Sequence, residues 1–138
     1  MPTLNLKIAP LQNPGRYRSL ASALTRITAQ RLGKRPEVTA VIIDDLPAAR
    51  WHVDGRDTQR PTALLEISIT QGTNTAAEKE AFIQDAFAEL QRQLGEGGPL
   101  EEASYVIVRE LPATDWGYGG QTQRARQLAR LAASAQAK

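Results

Sequence analysis

Side chains that commonly carry out chemistry are scarce in this sequence. Among its 138 residues there is no Cys and only one His. These counts exclude disulfides, thiolate metal sites and a Cys nucleophile, and they exclude a His-rich metal site or a two-His mechanism. His52 follows Trp51 in a predicted turn, where we expect a surface role. The Gly-rich segment 117–120 lacks the Lys-Ser/Thr ending of a phosphate loop, so we interpret it as a hairpin.

Composition indicates an ordinary globular chain. Hydrophobic residues make up 41% and charged residues 23%, and the length fits one domain. No apolar run approaches about 20 residues, and the N-terminus lacks the charged and apolar regions of a signal peptide. We therefore expect a soluble, cytoplasmic protein that is not bound to a membrane.

Charge is distributed unevenly along the chain. Residues 1–60 hold 10 Lys and Arg against 5 acidic residues, residues 61–120 hold 3 against 10, and residues 121–138 hold 4 against none. The three net charges are therefore +5, −7 and +4. A nucleic-acid surface would need exposed aromatic residues among the basic ones, and the few aromatics lie elsewhere. We predict no nucleic-acid partner.

An internal repeat divides the chain into two similar halves. Val41–Trp51 matches Val106–Trp116 at an offset of 65, with six of eleven positions identical, and Leu4–Ile8 alternates in phase with Leu65–Ile69 at an offset of 61. Period-two strands before and after a helical segment predict a β-α-β unit in each half. Parallel pairs with right-handed crossovers then predict an α/β (α+β) fold, in which a four-stranded sheet carries two helices on one face.

Capping and turn signals bound the predicted helices. The first helix is expected from about Tyr17 to Leu32, with Gly33 as its stop. The second is expected after an N-cap at Thr75, with Glu78 completing a capping box, and it should end at Gly95 or Gly97. The second strands of the two units are predicted at 39–43 and 105–109.

We interpret the whole chain, 1–138, as one domain with three parts. These are a first unit at 1–60, a second unit at 61–120 and a basic tail at 121–138, with a connector at 53–62. The face carrying Leu4, Leu6 and Ile8 should be buried by the helices, and the opposite face should meet solvent or a polar subunit interface. The tail predicts a weak helix with frayed last residues.

With these features the chain resembles the tautomerase superfamily. It is most similar to a fused relative of 4-oxalocrotonate tautomerase (4-OT), in which two short subunits are joined head to tail. The resemblance extends to about residue 121 and is stronger in the second half. Five features carry it: Met1-Pro2 before a strand, the segment Ile67–Thr75, Glu78-Lys79-Glu80 at a helix start, the strand Val106–Val108, and Trp116–Gly120 after a Leu-Pro turn.

The resemblance implies a trimer of fused chains and a catalytic N-terminal proline. Removal of Met1 would turn the Pro2 amide into a secondary amine, and an apolar pocket would lower the pKa of that amine from about 7.7–8.0. Such a group is a general base near neutral pH. Ala63 occupies the place of Pro2 in the second half, so each chain can carry only one such base.

The sequence lacks the two arginines with which the family binds a substrate carboxylate. Gln12 and Thr73 stand where one arginine follows the first strand, and Ala40 and Tyr105 stand where the other begins the second strand. Because some longer members have a tyrosine there, the resemblance implies that Tyr105 donates to the developing enolate.

The remaining candidate site residues are chosen by their place on the strands, in the repeat and in the family pattern. Arg109 lies four residues after Tyr105 and therefore on the same strand face, which makes it the candidate carboxylate ligand. Trp116 matches the aromatic residue that lines the family pocket, and Trp51 is its repeat counterpart. Lys7, on the first strand, is a further cation that could reach the pocket.

These expectations give one main hypothesis and two alternatives. The main hypothesis is an isomerase that interconverts keto and enol forms of a small carboxylate-bearing acid, as a homotrimer, without metal or organic cofactor. The same base could instead serve a decarboxylase or hydratase of small acids. The other alternative is a catalytically silent oligomeric protein with a binding or structural role, because retained Met1 would leave Pro2 as a non-basic amide.

Overall fold

A computed structural model describes residues 2–96 and 98–136. The elements in chain order are β1 (Thr3–Ala9), α1 (Pro14–Leu32), β2 (Ala40–Asp45), β3 (His52–Val53), β4 (Arg56–Asp57), β5 (Thr62–Thr70), α2 (Ala76–Leu94), β6 (Tyr105–Leu111), β7 (Gly117–Tyr118), β8 (Gln121–Thr122) and α3 (Gln123–Gln136).

Both halves of the chain contribute to one four-stranded sheet, in the order β2-β1-β5-β6. The pairs β1–β2 and β5–β6 are parallel, as a helical crossover requires. The central pair β1–β5 is antiparallel, with Thr3 opposite Ser68 and Ala9 opposite Thr62. The predicted pair of β-α-β units is therefore confirmed, and antiparallel pairing of their first strands joins them.

Helix α1 begins three residues before the predicted Tyr17. The side chain of Asn13 accepts a hydrogen bond from the backbone N of Arg16 at 3.0 Å, and Pro14 occupies the first turn. Proline suits that position because its missing N–H would have no partner there in any case. The predicted stop is confirmed, since Gly33 has φ 68° and its N–H donates to Ala29.

Helix α2 begins with the predicted capping box. Thr75 Oγ1 accepts from the backbone N of Glu78 at 3.1 Å, and the Glu78 side chain accepts from the backbone N of Thr75 at 2.8 Å. The helix ends at Leu94, directly before Gly95. Gly97, the other predicted stop, lies outside the described residues.

A short hairpin follows each Trp. In the β3–β4 hairpin, Asp54 and Gly55 have φ 56° and 71°, and in the β7–β8 hairpin Gly119 and Gly120 have φ 63° and 77°. Two consecutive positive φ angles are typical of the tightest hairpin turns. The second hairpin was predicted. The segment 53–62, expected to connect the two halves, lies between them in the structure, where the Asp-Gly turn folds part of it into β3–β4 and Thr62 begins β5.

The two faces of the sheet differ as predicted. Leu4, Leu6 and Ile8 are fully buried against the helices. Leu65 of β5 and Phe82 of α2 are fully buried in the same core. On the face without helices, which we call the open face, Asn5 and Lys7 are exposed, and so are Ile42 (56%) and Tyr105 (60%).

Helix α3 is better formed than the weak tail helix expected from the sequence. It spans 14 residues, although Leu128 and Leu131 remain 49% and 65% exposed. The frayed end expected at residues 137–138 lies outside the described residues. Among the described helices, none combines the length and the hydropathy of a membrane-spanning segment.

Truncation of Leu6 should lower the free energy of unfolding by about 2–5 kcal/mol, because Leu6→Ala leaves a cavity among fully buried side chains. Urea denaturation measures the change. Leu11→Ala is the matched control, since Leu11 is 61% exposed and its truncation should change stability by less than about 0.5 kcal/mol. Equal losses in the two variants would contradict this description of the core.

Candidate active site

Antiparallel pairing of β1 with β5 gives the sheet two distinct ends. One end, which we call the proline end, holds Pro2, the start of β2 and the carboxyl ends of β5 and β6. Pro2 is buried, and its carbonyl accepts a hydrogen bond from the backbone N of Ala40 at 3.3 Å. The opposite end holds Ala63 and the start of β6.

The predicted site residues divide between these two ends. Arg109 lies opposite Ser68, which is opposite Thr3, and Trp116 follows β6 at the proline end. Tyr105 and Lys7 both lie opposite Leu64, five residues along the strand direction from Pro2, which is about 16 Å.

Trp51 also lies at the opposite end, because its carbonyl accepts from the backbone N of Thr58 and Thr58 contacts Thr62 at the start of β5. One chain therefore brings Arg109 and Trp116 toward Pro2 but holds Tyr105, Lys7 and Trp51 away from it.

Both predicted cations form ion pairs on the open face. Arg109 Nη2 lies 3.3 Å from Glu66 Oε2, and Lys7 Nζ lies 3.2 Å from Asp44 Oδ2. The pairing partner of Arg109 stands two residues along β5 from Ser68, on the side away from Pro2. Its guanidinium is therefore drawn toward the middle of the sheet.

A cleft of about 210 Å³ lies at the proline end. Its place in the fold follows from two lining residues: Thr70 is the last residue of β5, and Val38 precedes β2, whose first residue bonds to Pro2. Cations and uncharged donors dominate the wall. Its lining consists of Gly33, Lys34, Arg35, Val38, Thr70, Thr73, Tyr118, Gln123, Gln127 and Arg130.

Lys34 is the most confined cation of this cleft. Its Nζ donates to Thr73 Oγ1 at 2.9 Å, and partial burial lowers the pKa of its ammonium from the ordinary 10.5, an effect that the charge of Glu78 opposes. Among the described residues that line the cleft, none carries a carboxylate. The cleft is thus suited to bind an anion, since a bound anion would offset the desolvation of the ammonium.

Lys34 was not among the residues predicted from the sequence. The available signal was its position directly after the Gly33 stop and six residues before the start of β2. Because β2 pairs in parallel with β1, residues just before β2 lie near the start of β1 and hence near Pro2. The place of Lys34 near Pro2 follows only when the pairing of β2 with β1 is known. The pattern that ends helix α1 does not indicate that pairing.

The opposite end has different chemistry. Ala63 is the counterpart of Pro2, and its backbone N donates a hydrogen bond to Ser104 Oγ at 3.1 Å. Asp45 accepts from the backbone N of Gln12 at 2.8 Å and from the Tyr17 hydroxyl, and this contact with the carboxylate raises the pKa of Tyr17. A carboxylate at this end repels an anionic ligand.

The remaining candidates lie outside the cleft. Trp116 borders a shallow depression of about 270 Å³ beside the β7–β8 hairpin, and its buried Nε1 finds no hydrogen-bond partner among the described residues. His52 is exposed, with Nε2 3.3 Å from Asp57 Oδ1. Within residues 2–96 and 98–136, the acidic and His side chains form no group of three or more that could hold a metal ion.

Comparison with known proteins rests on structure. No protein-family model and no curated protein matches the chain. A fused 4-OT, solved as an asymmetric trimer, superposes with a TM-score of 0.78 at 28% sequence identity, over 90% of this chain and 98% of that chain. The chain has the tautomerase-superfamily fold and resembles the fused 4-OT.

Two more distant structures share the tautomerase fold. N1, of the cis-3-chloroacrylic acid dehalogenase family, has a TM-score of 0.75 at 20% identity, over 92% of this chain and 90% of that one. A macrophage migration inhibitory factor-like protein from Entamoeba histolytica has a TM-score of 0.69 at 18% identity, over 88% and 97%. At these identities the likeness concerns the fold alone.

Replacement of Lys34 should not lower the melting temperature of this tautomerase-like protein. The lowered pKa means that folding disfavours the charged form, so Lys34→Met removes a penalty that is fully present below the lowered pKa and vanishes above 10.5. Thermal melts at pH 7 and pH 10.5 measure this. Lys7→Met is the comparison, and a larger loss of stability in Lys34→Met at pH 7 would contradict the prediction.

Proposed function

We propose that this protein is an isomerase that interconverts the enol and keto forms of a small 2-keto acid. The observation that carries the proposal is the cleft at the proline end, where Lys34 and uncharged donors form the wall and Pro2 lies at the same end of the sheet without lining the cleft. With Met1 removed, the secondary amine of Pro2 is the general base. The fused 4-OT neighbour supports the same class of chemistry.

In the proposed mechanism Lys34 binds the substrate carboxylate and thereby orients the enol toward Pro2. The Pro2 amine accepts the proton of the enol hydroxyl, and the resulting ammonium returns a proton to carbon. No electrons are gained or lost. We assign the carboxylate to Lys34 instead of Arg109, because Glu66 already neutralises the Arg109 guanidinium.

Stabilisation of the enolate requires a second chain in this proposal. Tyr105 is 60% exposed and stands about 16 Å along the strand direction from the Pro2 of its own chain. In this proposal its hydroxyl therefore donates to the enolate at the Pro2 of another copy. The proline end of that copy meets the opposite end of the chain that supplies Tyr105. The same holds for Lys7 and Trp51. The trimeric state of the fused 4-OT neighbours supports a homotrimer.

Blocking the amine should abolish most of the activity. A version with a short N-terminal extension keeps Pro2 as a non-basic amide, and its kcat should fall by about 10²–10⁴, the usual contribution of a general base. The assay follows ketonisation of 2-hydroxymuconate or phenylenolpyruvate in the ultraviolet. Proteolytic removal of the extension back to Pro2 should restore the rate, and Pro2→Ala should also be impaired.

Intact mass spectrometry must accompany that assay. If the mass shows that the extension is intact and the extended protein is nevertheless fully active, the role of the proline is contradicted. Retained Met1 in untagged protein, with no turnover, would support the alternative of a silent oligomeric protein.

Lys34→Met should raise KM by about 10- to 100-fold with a smaller effect on kcat, since a charge-assisted contact contributes about 1.5–3 kcal/mol. In the wild type, KM should rise with pH from below the ordinary lysine value of 10.5, because the pKa of Lys34 is lowered. Lys34→Arg keeps its charge and should remove that rise. Arg18→Met, on the exposed surface of α1, is the control, and a larger effect from Arg109→Met would return the carboxylate to Arg109.

A further inference from the structure

The second half of helix α3 is exposed to solvent along its whole length. Every residue from Leu128 to Gln136 is exposed, and the exposed fractions of Leu128 and Leu131 are 49% and 65%. A helix of about 12–15 residues is marginal in water unless one of its faces packs against another surface. Within one chain, the second half of α3 therefore lacks the packing that would stabilise it.

The first turns of α3, in contrast, are fixed to the body of the protein. The backbone N of Gln123 donates to Trp116 O at 2.9 Å, and the Arg126 guanidinium lies 3.8 Å from the centroid of the Tyr118 ring. These contacts determine which side of the helix remains exposed. Residues at spacings of four and three share one side of a helix, and we call the exposed set on that side the α3 stripe: Arg124, Leu128 and Leu131.

The charge of α3 favours one kind of partner. The helix contains three arginines, at positions 124, 126 and 130, and no acidic residue. Neither Arg124 nor Arg130 forms an ion pair within residues 2–96 and 98–136. Two copies of α3 placed side by side would repel each other, because like charges would meet. The surface that covers the stripe should instead carry an excess of carboxylates.

The second unit of this same chain, residues 61–120, has such an excess. It holds 3 Lys and Arg against 10 acidic residues. All three of its cations are already paired within the unit, since their partners are Glu66, Glu89 and Glu110. A second copy of the chain can therefore supply the carboxylates that a single copy does not bring to the α3 stripe.

Glu101 and Glu102 are the carboxylates best placed to meet α3. They lie in the turn before β6, where the backbone N of Glu101 donates to Pro61 O at 2.8 Å. Neither forms an ion pair in the described part of the chain, and the adjacent Arg60 is not paired with them. This turn belongs to the opposite end of the sheet, three residues before Tyr105.

The place of this turn connects it with the contact between copies proposed above. In that contact, Tyr105 of one copy approaches the Pro2 of another. Helix α3 lines the cleft at the end of the sheet that holds Pro2. The turn that precedes Tyr105 is then brought toward the α3 stripe of the other copy.

We propose that the α3 stripe docks on the Glu101–Glu102 turn of a second copy of this chain. Arg124 meets the two carboxylates, and burial of Leu128 and Leu131 stabilises the second half of the helix. The contact joins two different surfaces, so copies related by a rotation can close into a ring. The inference rests on the proposed function for the approach of the two ends, and it makes α3 the element that holds neighbouring copies together.

Sedimentation velocity of the full chain over a range of concentrations measures the dissociation constant of the assembly. Leu131→Ser and Arg124→Glu should each raise that constant by about 3- to 30-fold. Glu101→Arg combined with Glu102→Arg should have a similar effect. A chain that carries all three charge reversals should return to within about 3-fold of the wild type. Arg18→Glu reverses the charge of another exposed arginine, on α1, and should leave the constant unchanged.

Hydrogen exchange shows whether the helix itself is covered. On dilution below the dissociation constant, the backbone amides of residues 128–136 should exchange faster, because the exposed half of α3 then loses its packing. The amides of α1 should keep their exchange rates.

Several outcomes would overturn the proposal. A chain that is monomeric at every concentration, or a triple reversal that does not restore assembly, would exclude this contact. Stronger association of Arg124→Glu would indicate that two α3 helices meet. Leu131-dependent binding to phosphatidylserine vesicles, with unchanged assembly, would indicate a lipid surface instead of a second copy.

A failure of the proposed function has a different signature. Assembly that depends on α3, in a protein that turns over no enol, would retain the docking contact and reject the isomerase. Enol turnover by an assembly that is insensitive to all of these variants would do the reverse.

Discussion

The antiparallel pairing of β1 with β5 is the interaction on which the rest of this molecule depends. It joins the two β-α-β units through seven opposed residue pairs, and its buried side carries fully enclosed apolar side chains such as Leu4, Leu6 and Leu65. A slip of one residue would turn that apolar set toward the open face. The same pairing puts Pro2 and its counterpart Ala63 at opposite ends of the sheet.

The two ends have diverged although the repeat makes them equivalent. The proline end has a cleft with Lys34 and donors, whereas the other end holds the Asp45 carboxylate and an amide at Ala63 that is already hydrogen-bonded. In the function that we propose, the anionic substrate therefore binds at the proline end of each chain, and the exposed Tyr105 is left for a neighbouring copy.

Much of the fold was predictable because its signals are local. The Thr75–Glu78 capping box, the Gly33 stop and the alternation of Leu4, Leu6 and Ile8 each require only a few neighbouring residues. The candidate site was less predictable. Period two correctly put Tyr105 and Arg109 on one strand face, but whether a cation is paired there depends on the adjacent strand, and Glu66 was not identified as a partner.

The sequence by itself determined the two units and their helices and strands, because periodicity and capping are local properties. Only the tertiary structure decided which residues share an end of the sheet. Lys34 and Arg130 are almost one hundred residues apart, yet both line one cleft, whereas Tyr105 stands far from the Pro2 of its own chain. Strand order and direction set these distances, and they result from non-local pairing that no sequence window contains.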